Sequence, residues 1–179
     1  MIRLSSKNIA LSSFFLALGI LFPFVFHQFG MAGRIFSPMH IPVFLAGIFV
    51  GPISGLVVGI LSPIVSFLLS GMPPPYAVPL MAIELPLYGV SIGLLTKINK
   101  LPLILALIIS MLVGRIGFAL GLLVFGLFLN LPYGFSGFLK ASFILGLPGI
   151  VLQLILIPLL VKGVGLASKS SGKNQQPQG

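Results

Sequence analysis

The chain has 179 residues, of which 58% are hydrophobic and only 6% charged, and its mean hydropathy is +1.23. A soluble domain carries about 25% charged residues, so this chain has too few to cover a water-facing surface. Ten lysines and arginines stand against one acid, for a net charge of +9. The cations fall mainly between or outside the apolar runs, so they read as membrane-orientation signals and not as a nucleic-acid surface. Cysteine is absent, which excludes a disulfide scaffold and a thiolate metal site.

The first apolar run, Ile9 to Phe26, follows Arg3 and Lys7. It is longer than the roughly 7–15-residue core of a signal peptide, and it reads as a membrane span. A polar loop from His27 to Ser37 follows. The next apolar stretch, Pro38 to Ser70, would be about 50 Å long as one helix, against a hydrocarbon core of about 30 Å. Gly51-Pro52 is a turn signal inside it. Gly71-Met72-Pro73-Pro74-Pro75 cannot be helical throughout, and a further span runs from Tyr76 to Leu95. Lys97, Asn99 and Lys100 mark a polar junction. The stretch from Leu101 to Val161 is again too long for one span, and Asn130 to Gly137, with Pro132 and Gly134, divides it. Residues 1–167 therefore read as one membrane domain, and the polar tail 168–179 is expected to be disordered.

Charge decides the number of spans. Lysine and arginine collect on cytoplasmic flanks, and three clusters qualify: Arg3 with Lys7, Lys97 with Lys100, and Lys162 with Lys169 and Lys173. An even number of spans must separate each pair. A continuous Pro38–Ser70 helix would leave an odd number between the first two clusters, whereas a break at Gly51-Pro52 makes it even. The expected fold is an all-α integral membrane protein with six transmembrane helices and both termini cytoplasmic. Its second span, Pro38 to Val50, is short and needs a thinned membrane or the shelter of neighbouring helices. Gly47, Gly51, Gly55 and Gly59 recur every fourth residue, as do Gly89 with Gly93 and Gly117 with Gly121. Small residues at this spacing let helix backbones approach closely.

Glu84 is the single carboxylate side chain of the sequence and lies inside a span, where a charge costs at least about 2.5–3.5 kcal/mol. It must face a cavity or a partner. Met81, Glu84, Tyr88 and Ser91 share one helical face. Arg115 is the one cation deep within a predicted span and is the expected partner of Glu84. His40 opens the second span. Gln28 and Arg34 belong to the preceding outer loop, Tyr76 to the next, and Asn130 to the third; together they outline the rim of an outward-facing site. Ser54, Ser62, Ser66 and Ser70 lie along one helix and read first as packing residues. No nucleophile motif of the G-x-S-x-G type and no phosphate-binding G-x-x-x-x-G-K-[ST] loop occurs, so the residues point to neither a hydrolase nor an ATPase. No catalytic residue, cofactor or metal site is expected.

Four segments carry a family likeness: Ser37-Pro38-Met39-His40-Ile41-Pro42, Gly51-Pro52-x-x-Gly55, Gly71-Met72-Pro73-Pro74, and Glu84-Leu85-x-x-Tyr88-Gly89. With six short spans and a polar outer rim, the chain resembles the S component, or substrate-capturing subunit, of an energy-coupling factor (ECF) transporter. The resemblance implies capture of a vitamin or vitamin precursor at the outer face of a prokaryotic plasma membrane. It also implies partnership with a membrane T component and two ATPase subunits that power uptake. On this reading Glu84, Arg115, His40, Arg34, Gln28, Tyr76, Tyr88 and Asn130 serve the substrate. The small-residue face of Ala10, Ser13 and Ala17 meets the T component; Ser13-x-x-x-Ala17 is the nearest match to the family's Ala-x-x-x-Ala pattern, from which serine at the first position departs. The competing readings are an ion-coupled secondary transporter, for which a lone Glu84 is a poor coupling site, and a non-transporting assembly protein.

Overall fold

A computed structural model describes residues 5–27, 38–98, 101–126, 128 and 134–173. Every regular element among them is helical: α1 Ser6–His27, α2 His40–Phe49, α3 Pro52–Ser70, α4 Val78–Gly93, α5 Leu103–Phe125 and α6 Gly134–Lys173, with a π-helical turn, Leu94–Ile98, extending α4. Five of the six contain a segment long and apolar enough to cross a bilayer, and α2 is the short one. The architecture has the six helices expected of the sequence.

The break at Gly51-Pro52 has a local cause. Gly51 has φ of 135°, a conformation that a side chain opposes, and Pro52 then begins α3 where its missing N–H costs nothing. Gly71 closes α3 in the left-handed conformation, its N–H donating to the Phe67 carbonyl at 2.8 Å, as helix-ending glycines do.

At ten residues α2 is about 15 Å long, half the thickness of a hydrocarbon core. Burial solves that problem: every residue from His40 to Gly47 is buried, with α1, α3, α4 and α6 packed around it. Thinning of the bilayer is not needed to shelter it.

The glycine spacing serves packing within the chain. An added Cβ at Gly55 would lie 2.5 Å from the Gly89 carbonyl carbon, and one at Gly59 would lie 2.5 Å from the Pro86 nitrogen. The α3 and α4 backbones are therefore in direct contact, and no larger residue fits between them. Pro86 lies inside α4 at this same seam; a proline that frees a carbonyl within a membrane helix is tolerated where a neighbour covers it.

Two of the basic positions, Lys7 and Lys97, come to the same end of the bundle. Lys97 Nζ donates to the carbonyls of Phe49 at 2.7 Å and Val50 at 3.0 Å, which neutralises the C-terminal end of α2. The Ser12 and Ser54 hydroxyls meet at 2.8 Å. The start of α1, the Gly51-Pro52 turn and the Lys97 junction thus share one end of the bundle. α6 runs as helix through Lys173, into the polar tail that begins at Ser168. Extending an existing helix adds a hydrogen bond per residue without repeating the nucleation cost. Residues 174–179 lie outside the described residues.

Candidate functional site

Glu84 and Tyr88 are one turn apart on α4, which places both side chains on the face turned toward α2 and α5. Glu84 is 3% exposed and Tyr88 2%. The Tyr88 hydroxyl donates to Glu84 Oε1 at 2.6 Å, and Arg115 Nη1 on α5 lies 3.1 Å from the same oxygen. The pairing expected from the sequence is present. A carboxylate removed from water needs both partners, because an uncompensated buried charge costs several kcal/mol.

The surroundings explain why this geometry is held. The Tyr88 ring packs against His40 and Phe44 of α2, with centroids 5.3 Å and 5.0 Å away. On its other side lies Gly114, where a side chain would strike the ring. Gly146 of α6 gives the same room to Arg115: an added Cβ there would lie 2.5 Å from Nη2. The charged pair therefore joins α4 to α5, rests on α6 through a glycine, and touches α2 through an aromatic contact. Along α4, Glu84 is about 9 Å from the Val78 end and about 20 Å from Lys97 at 1.5 Å per residue, so the cluster sits at mid-depth, displaced away from the Lys97 end.

Below Arg115, toward the Lys97 end, a groove of about 300 Å³ separates α5 from α6. Ile108, Met111 and Leu112 form one wall, Leu147, Ile150 and Leu154 the other, and Arg115 supplies the single charged group among the described lining residues.

The remaining expected residues divide. His40 is buried beside Tyr88, deeper than a residue at the membrane interface. Tyr76 is half-buried just before α4. The Ser91 hydroxyl bonds back to the Leu87 carbonyl of its own helix. Gln28, Arg34 and Asn130 lie outside the described residues. Ala10, Ser13 and Ala17 are all exposed on α1, so no other described helix covers them. Among the serines of α3, Ser54 meets Ser12 and Ser70 bonds the Ser66 carbonyl.

Sequence reasoning missed Gly114 and Gly146, whose role is to leave space, and it missed Gln153. That amide is 3% exposed and shares a face of α6 with Gly146 and Ile157. Its signal was available: it is the single amide in the apolar segment Gly146–Gly165. Among the described residues no group of three or more His, Asp and Glu side chains is placed to hold a metal.

Helices that span a membrane several times around one buried cluster of carboxylate, guanidinium, phenol and imidazole define a polytopic membrane protein with an internal polar site. The family model of the ECF transporter substrate-specific component matches residues 7–161, and the chain belongs to that family. No curated protein and no solved structure matches it.

Proposed function

We propose that the chain captures a small vitamin-like solute, a vitamin or its precursor, at the outer face of a prokaryotic plasma membrane. It then acts with a membrane T component and two ATPase subunits to import that solute. The observation that carries this reading is the buried Glu84–Arg115 pair with Tyr88 on the same carboxylate oxygen. A cluster so costly to bury inside a membrane marks a solute path by default. Glu84, Arg115, Tyr88 and His40 line or brace the site, with Gln28, Arg34, Tyr76 and Asn130 at its mouth. Both termini and the Lys97 junction face the cytoplasm, as their positive charge favours. The exposed Ala10, Ser13 and Ala17 face of α1 receives the T component, since small side chains allow a partner helix to approach without lipid between.

The test is chemical. The protein is purified in detergent and denatured, and the released small molecules are identified by mass spectrometry. One solute is expected in near-stoichiometric amount, depleted in folded Glu84→Gln and Arg115→Met. T and ATPase subunits should co-purify from cells that express them. A folded protein that carries no solute under any growth condition and retains no ATPase would contradict the proposal.

A further inference from the structure

The groove below Arg115 is not needed to hold the Glu84–Arg115 pair, and its chemistry is specific. Six apolar side chains line it and one guanidinium closes its end. From Ile108 to Arg115 it runs about 10 Å along α5, at 1.5 Å per residue. Its volume of about 300 Å³ lies at the lower end of the range for small-molecule sites, roughly 300–1,000 Å³. Arg115 faces both ways: its Nη1 holds Glu84 at 3.1 Å while 15% of its side chain remains exposed, against 4% for Glu84.

We infer that this groove binds a small amphipathic carboxylic acid, its acid group at Arg115 and its apolar body between α5 and α6, pointing toward the Lys97 end. The walls select for an apolar body, because the described lining residues offer no hydrogen bond along their length. The end selects for the head group. A guanidinium is a donor only, and it can donate to the carbonyl oxygen of a protonated acid while Nη1 still holds Glu84. A cationic head would instead meet a like charge in a low dielectric, where the penalty is large. The acid arrives with its proton, so that ligand, Glu84 and Arg115 together keep zero net charge. Gly146 leaves the guanidinium room against α6, at the end of the groove where the acid would sit. This inference rests on the reading of the Glu84–Arg115 region as a solute-binding site.

The wild-type protein in lipid nanodiscs is tested by equilibrium dialysis with radiolabelled octanoate, with empty nanodiscs as the baseline for partition into lipid. Octylamine and octanol serve as probes with other head groups. Saturable octanoate binding is expected, at least about tenfold tighter than octylamine. Ile108→Phe with Leu112→Phe should fill the groove and abolish that binding. Both positions are exposed, at 42% and 60%, so the larger side chains do not crowd the core. No saturable octanoate binding in the wild-type protein, equal binding of octylamine, or undiminished binding in the folded double variant would each overturn the inference. A chain that carries its co-purified solute but shows no saturable octanoate binding refutes the groove assignment and leaves solute capture standing. A chain with neither refutes both.

Discussion

Replacing Arg115 by methionine tests whether the buried pair is one energetic unit. The two charges lie 3.1 Å apart, a Coulomb attraction of about 5 kcal/mol at an effective dielectric constant near 20. Much of this is offset by the cost of removing both ions from water. What remains exposed by the single substitution is the other partner: Arg115→Met leaves Glu84, 3% exposed, with Tyr88 as its partner among the described residues. Breaking a buried pair in this way costs about 3–5 kcal/mol. Glu84→Gln should cost less, because the amide can still accept from Tyr88 and Arg115 also borders the groove. In the Glu84→Gln/Arg115→Met double variant no charge is left unpaired, and stability should return to within about 1–2 kcal/mol of the parent. Unfolding by SDS in mixed micelles, followed by circular dichroism, measures all four proteins. If the two single losses simply add, with a coupling below about 0.5 kcal/mol, the pair is not the unit described.

The α3–α4 seam should tolerate no side chain: Gly89→Val places atoms on the Gly55 backbone and should cost about 3 kcal/mol or more, read as lost folded yield by size-exclusion chromatography. Lys97→Met removes the cation from the α2 carboxyl end and should lower stability by about 1 kcal/mol without altering solute retention. Single cysteines at Ser54 and Lys97, in a chain with no native thiol, should react from the same side of the membrane; labelling from opposite sides would break the six-span topology. Ser13→Leu with Ala17→Leu should leave the co-purified solute in place yet abolish uptake in cells, measured as growth dependent on that solute.

Much of this architecture was legible because membranes leave few options. The lengths of the apolar runs and the positions of lysine and arginine together required a break at Gly51-Pro52, and the backbone there has the positive φ that glycine permits. Glu84 and Arg115 could be paired by elimination, since a bilayer interior leaves a lone acid and a lone deep cation little else to meet. What was not legible depended on three-dimensional proximity. Nothing in the order of residues says that Gly114 makes room for Tyr88 or that Gly146 makes room for Arg115. The length of α2 left two readings open, a thinned membrane or shelter by neighbouring helices, and only the packing around His40–Gly47 decides for shelter.

The central claim is that this chain binds its solute but cannot by itself concentrate it, because energy comes from partner subunits. Proteoliposomes containing only this protein, loaded with the solute identified by mass spectrometry, measure this directly. The account predicts binding without accumulation under an imposed proton or sodium gradient, and accumulation only when the T component, ATPases and ATP are present. Concentrative uptake driven by either gradient in the protein alone would contradict the account and make the chain an ion-coupled transporter.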